Sequence, residues 1–148
     1  MDSLAARINA APRAHDAERG ASVAAAVGAS GPAAELIAGA AGSSPYLAGL
    51  CERHAEWLAA ALDTPPEVAF KALLDGLEPG QGQRELAVAL RQTKARAALL
   101  IALADLGGVW PLDRVIGALS DLADRCLDVA CAEVMLAETS GPLAGHSP

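Results

Sequence analysis

The stretch Asp105-Leu106-Gly107-Gly108-Val109-Trp110-Pro111-Leu112 constrains the fold of this chain more than any other. It lies between two runs with helical apolar spacing, and it joins a glycine pair to a tryptophan set directly before a proline. Glycine reaches left-handed backbone conformations without steric cost, so the pair can end one helix and turn the chain sharply. Proline suits the first turn of the next helix, where its missing N–H leaves no bond unmade. The flanking helices are therefore expected to pack as an antiparallel hairpin. Leu106, Gly107, Gly108, Trp110 and Pro111 form its joint, with Trp110 filling the bend as a wedge.

The two arms follow from periodicity. The first is expected over about 84–106, with Leu86, Leu90, Ala97, Leu100, Ile101 and Ala104 inward and Arg84, Arg91, Lys94 and Arg96 on more polar arcs. The second is expected over about 111–137, with Leu112, Val115, Ile116, Leu119, Ala123, Cys126, Ala130 and Val134 inward. Asp113 favours its N-terminal dipole, and Asp121 precedes Arg125 at the spacing of an i,i+4 ion pair.

The rest of the chain fits the same class. It is 53% hydrophobic but only 3% aromatic, so Ala and Leu, both strong helix formers, dominate the apolar content. β-branched and aromatic runs are nearly absent. The reading is an all-α, irregular helical bundle. An Ala/Gly-rich segment over 1–43 is expected to hold short helices near 2–9, 16–27 and 32–41, to bury little area per residue and to be partly mobile. A helical domain follows over 44–137. It opens with Ser44-Pro45 as an N-cap and first-turn proline, followed by an apolar stripe of Tyr46, Leu47, Leu50 and Cys51 and a second of Trp57, Leu58, Ala61 and Leu62. Thr64 and Glu67 are placed for a capping box, and the helix they begin carries Val68, Leu73 and Leu74. Residues 78–83 read as a turn, and 138–148, rich in breakers, as a loop or tail.

Charge and motif content exclude several kinds of function. A formal net charge of −7 argues against broad binding to nucleic acid or anionic membranes. The apolar run over 23–42 is broken by Pro32 and Glu35, and the acidic residues Asp16 and Glu18 fit a signal peptide poorly. Three cysteines (Cys51, Cys126 and Cys131) suggest reduced thiols rather than a disulfide framework. Cys51, His54 and Glu56 lack the further ligand that a helical zinc site needs. His15 and His146 fall in the segments expected to be least ordered. Gly42-Ser43 could open a nucleotidyltransferase Gly-Ser…Asp-x-Asp signature, but no Asp-x-Asp follows it, and two-metal phosphoryl chemistry needs that carboxylate pair. No catalytic, cofactor-binding or metal-binding residue is assigned.

Three segments carry a resemblance. SPYLAGL (44–50), EWLAAALDTPPE (56–67) and above all KARAALLIALADLGGVWPLDRVIGALSDLAD (94–124) resemble the bifunctional glutamine synthetase adenylyltransferase/adenylyl-removing enzymes. The likeness is to the helical region ahead of their first nucleotidyltransferase domain and covers roughly 44–137. It implies a cytoplasmic enzyme of nitrogen control that moves AMP from ATP to a tyrosine of glutamine synthetase and removes it by phosphorolysis. It further implies ATP, Mg2+, the PII signalling protein and a downstream nucleotidyltransferase domain as cofactors and partners. The family's catalytic Gly-Ser and Asp-x-Asp lie beyond this region, so none of its catalytic residues transfers to this chain. The resemblance therefore implies a part of the enzyme that is inactive alone; the alternative is a freestanding helical interaction module. An uncovered apolar face is expected to make the isolated chain self-associate. Gly117 departs from the expected helix former and is read as a mark of close helix packing.

Overall fold

Eight α-helices follow one another through residues 1–140, which the computed structural model describes; there is no strand among them. They are α1 (Leu4–Arg7), α2 (Ala17–Val27), α3 (Gly31–Ser43), α4 (Pro45–Arg53), α5 (Ala55–Leu62), α6 (Pro66–Asp75), α7 (Gln83–Leu106) and α8 (Leu112–Ser140). No helix among these residues is long and apolar enough to cross a membrane. Of the segment read as a tail over 138–148, residues 138–140 continue α8, and 141–148 lie outside the described residues.

Small residues build the first half by allowing close approach. Gly20 of α2 lies against the Ala38 backbone and Gly39 of α3 against Pro12, so that a methyl group at either position would overlap backbone atoms. Arg19 crosses between these helices, its guanidinium donating to the Ala41 and Gly42 carbonyls at 2.8 and 3.0 Å. Leu4, Val23, Leu36 and Ile37 join Leu50, Leu58, Leu99, Leu100 and Leu103 in one buried core. Residues 1–43 thus supply part of the central packing.

The structure adds one break and changes one local expectation. Between Arg53 and Ala55 the chain leaves helical geometry at His54 (φ −118°, ψ 30°), so the two stripes of 44–63 lie on separate helices. The capping box at Thr64 does not form. Pro65 is the N-cap of α6 without a side-chain cap bond, and the Thr64 hydroxyl donates backwards to the Ala60 carbonyl. Glu67 is left free for another partner.

α7 and α8 pack with their directions opposed. Leu86, early in α7, shares a buried cluster with Cys126 and Val129, far along α8. The inward face of α8 differs from the face expected. Val115, Ala118, Cys126, Val129 and Glu133 are buried, whereas Leu112, Ile116, Leu119 and Val134 are exposed. Apolar residues cover two adjacent stripes of this helix, and periodicity alone does not say which one meets the body. Arg125 does not serve a local ion pair: its guanidinium donates to the Leu74 and Leu77 carbonyls and so closes the C-terminal end of α6.

Gly117 is also corrected. A Cβ there would meet nothing within 4 Å, so no close packing requires the glycine. Gly117→Ala should stabilise the chain by up to ~1 kcal/mol through helix propensity. An unchanged or lower urea midpoint would contradict this.

Candidate functional site

The joint between α7 and α8 is closed by backbone bonds that glycine makes possible. Gly107 keeps a helical backbone, and Gly108 takes the left-handed conformation at φ 70°. The Val109 N–H then reaches the Ala104 carbonyl at 2.9 Å and the Gly108 N–H reaches Asp105 at 3.1 Å, which is the Schellman pattern. The Trp110 N–H also donates to the Ala104 carbonyl, at 3.0 Å. The segment after α1 crosses over this turn: the N–H groups of Asn9 and Ala10 donate to the Gly107 carbonyl, and the Asn9 side-chain amide donates to that of Gly108. Leu106, Gly108 and Pro111 lie toward solvent, whereas Gly107 and Trp110 are buried.

Trp110 explains why the turn holds its shape. Its ring is 3% exposed and meets Phe70 of α6 edge-on, with centroids 6.1 Å apart. Arg114, in the first turn of α8, lies over the Trp110 face at 4.7 Å, a cation–π distance. The indole N–H donates to Glu67 Oε1 at 3.1 Å, and Arg7 Nη1 donates to both Glu67 oxygens at 2.9 and 2.8 Å. One carboxylate therefore ties α1, α6 and the joint together. Burial alone would raise the Glu67 pKa, but the bonds from Arg7, its own backbone and Trp110, with the Arg7 charge, hold it down to about 2.

The sign of the pH effect follows. A carboxylate whose folded pKa is depressed contributes stability above its ordinary value near 4.5, and that contribution fades as pH falls toward about 2. Because the pair keeps some solvent contact, we expect it to be worth of order 1–2 kcal/mol at neutral pH. Glu67→Gln should lose that increment at pH 7, and the gap to the parent chain should close as urea titrations approach pH 2.5. A gap independent of pH would contradict the assignment.

The groups weighed for chemistry do not converge. Cys51 is buried; burial first and Glu52 second push its thiol up to about 11, so it is not a thiolate at neutral pH. His54 Nδ1 accepts from Arg96 Nε at 3.3 Å, and Arg96 lies over the Trp57 ring at 5.6 Å. Burial first, then Arg96 and Arg53, lower the His54 pKa. Cys126 is buried and Cys131 exposed, and His15 is exposed; His146 lies outside the described residues. Among the described residues no three His, Cys, Asp or Glu side chains gather as metal ligands.

A groove with a cavity volume of about 800 Å³ opens between α7 and α8. Leu90, Arg91, Lys94 and Ala98 form one wall and Leu119, Ala123, Cys126 and Leu127 the other, with Tyr46 of α4 reaching in. Tyr46 is therefore a surface residue, not part of the core stripe expected for it.

Sequence reasoning missed Glu67, Arg7, Phe70 and Arg114 at the joint, and it missed Glu133. That last carboxylate is buried on α8 and accepts from the backbone N–H groups of Gly80 and Gly82. A signal existed only for Phe70, the sole phenylalanine of the chain, at a helical position on α6.

Comparison with known proteins bears on the same residues. Positions 34–145 match the family described as glutamate-ammonia ligase adenylyltransferase. The chain is 39% identical over 107 residues to the bifunctional glutamine synthetase adenylyltransferase/adenylyl-removing enzyme of Caulobacter vibrioides, covering 70% of this chain and 11% of that protein. Against the enzyme of the same name from Rhodopseudomonas palustris strain TIE-1 it is 37% identical over 148 residues, covering 86% of this chain and 15% of that protein. The corresponding protein of Bradyrhizobium sp. strain ORS 278 gives 37% over 125 residues, 81% of this chain and 13% of the relative. The chain thus spans 11 to 15% of the length of these relatives. No solved structure matches it.

Proposed function

Since the chain belongs to the glutamate-ammonia ligase adenylyltransferase family, we propose that it is a helical, non-catalytic part of such an enzyme, bracing the nucleotidyltransferase unit against its protein substrate. The whole enzyme would move AMP from ATP to a tyrosine of glutamine synthetase and remove it by phosphorolysis in the cytoplasm, with PII protein as a regulator. The observation that carries this reading is the joint. Glu67, Arg7, Phe70, Arg114 and Trp110 fix the angle between two long helices and offer no reacting group. A fixed angle between rods is what a brace requires.

Among the described residues, none is placed to form a site for ATP and Mg2+. Gly42 and Ser43, the one nucleotidyltransferase-like pair, end α3: Gly42 packs against Ala14 and Asp16, and the Ser43 hydroxyl donates to the Arg13 carbonyl at 2.7 Å. Both serve the packing of the chain on itself, and the sequence supplies no Asp-x-Asp to complete a metal pair. No chemical step is therefore assigned to these residues.

The test is direct. Purified chain mixed with glutamine synthetase, magnesium and labelled ATP should put no label on the substrate above background, and it should release no AMP from adenylylated glutamine synthetase in phosphate. Label incorporated at a tyrosine would overturn the reading. A second reading, a freestanding interaction module, is favoured by the exposed apolar residues of α8, among them Leu112, Ile116 and Leu127. It predicts the same silence in the assay but stable binding to a partner without any nucleotidyltransferase unit.

A further inference from the structure

Beside the break between α4 and α5 a guanidinium is held in place and left with donors to spare. Arg96 of α7 is half-buried; its Nε donates to His54 Nδ1 at 3.3 Å, and its central carbon lies over the Trp57 ring at 5.6 Å. Among the described residues its two terminal amino groups make no hydrogen bond, and no carboxylate stands within ion-pair distance of it. Arg7, Arg19 and Arg125, by contrast, are spent on a carboxylate or on backbone carbonyls. The charges that act on His54 are those of Arg96 and Arg53, both positive. In a chain with 18 acidic and 11 basic side chains, this is a positive spot that its own acids do not neutralise.

Arg96 also lines a pocket of about 350 Å³ between α5, α6 and α7. Trp57 forms one wall, and Ala60, Ala61, Ala69 and Ala72 form much of the rest, their small side chains leaving the hollow open. The Thr64 hydroxyl at its edge is already given to the Ala60 carbonyl. What remains is an apolar wall, an aromatic face and one fork of uncommitted charged donors. Sites for small molecules combine apolar walls with a few placed polar groups in this way. A guanidinium fork matches a carboxylate, which it holds by two parallel hydrogen bonds. An amino acid fits less well, because its ammonium group would face a guanidinium and alanine methyl groups.

We propose that this pocket binds a small organic acid, its carboxylate paired with Arg96 and its apolar body against Trp57 and the alanines. His54 and Trp57 already hold the guanidinium, so binding orders little that was free before. The pocket shares no residue with the joint at Trp110, and it stands or falls separately from the brace reading.

Hexanoate serves as the probe, titrated into the isotope-labelled full chain and followed by NMR. Saturable shifts are expected at the Trp57 indole N–H and the Arg96 Nε–H, with a Kd on the order of 1 mM. Hexanol lacks the charge and acetate the apolar body, so each should bind at least about 10-fold more weakly. Arg96→Gln, read at Trp57, should weaken hexanoate binding by roughly 10-fold or more, through loss of the charge-assisted pair. Ala60→Leu and Ala72→Leu change exposed rim positions and should weaken it as much by filling the hollow, with the far-ultraviolet circular dichroism staying that of the parent. No saturable shift at these two groups up to about 50 mM hexanoate would overturn the proposal. So would equal affinity for hexanol, which would leave Arg96 without a role, or equal affinity for acetate, which would show an adventitious ion only. Binding that survives Arg96→Gln or the two leucine substitutions would overturn it as well.

Discussion

Replacing Trp110 with alanine is expected to lower the stability of the chain by about 3–5 kcal/mol, the usual cost of removing a buried large aromatic side chain. Four contacts go with the ring: the edge-on meeting with Phe70, the stacked Arg114, the bond to Glu67 and the filling of the turn. At this chain length the loss corresponds to a fall in Tm of roughly 10 °C or more. Trp110→Phe separates area from hydrogen bonding: it keeps most of the apolar contact and loses only the donor to Glu67, so about 1 kcal/mol should be lost. Urea titration followed by circular dichroism reads both variants without relying on tryptophan emission. An unchanged midpoint for Trp110→Ala would show that the turn stands without the wedge.

The second large effect is expected at Glu133. This carboxylate is 5% exposed, and it accepts from the N–H groups of Gly80 and Gly82, the latter at 3.2 Å. Both glycines have positive φ, which aims their N–H groups toward α8. Bonds to a charged acceptor are the stronger kind, and removing it strands two donors. Glu133→Ala should therefore cost about 2–3 kcal/mol, and it should free the 78–82 loop to exchange its amide hydrogens sooner than the rest of the chain. Glu133→Gln keeps one acceptor oxygen and should lose about half as much. A cost below about 0.5 kcal/mol for the alanine variant would mean that water satisfies these donors equally well.

These two residues also mark where the sequence was legible. Leu106 to Pro111 could be read because every part of the signal is local: the glycine pair, the proline and the two periodic arms lie within one stretch. Glu67 was misread for the same reason. Thr64-Pro-Pro-Glu67 fits a capping box locally, while the true partner, Arg7, stands 60 residues away in sequence. Glu133 and its loop are separated by 53 residues for the Gly80 bond, beyond the reach of any spacing rule. The inward face of α8 failed for another reason. Its apolar residues cover both the face that meets α7 and the face that meets solvent, and only tertiary packing breaks that tie. The break at His54 left no mark because neither glycine nor proline makes it.

The central physical claim is that α7 and α8 are held as one rigid pair at the joint. Native-state hydrogen exchange at the backbone N–H groups of Val109 and Trp110, both bonded to Ala104, tests it most directly. If the joint opens only when the whole chain unfolds, these two amides should exchange with the free energy of global unfolding and should follow it through a urea series. Exchange several kcal/mol easier than that of the α7 core amides, with little dependence on urea, would mean that the hairpin opens by itself and would contradict the account.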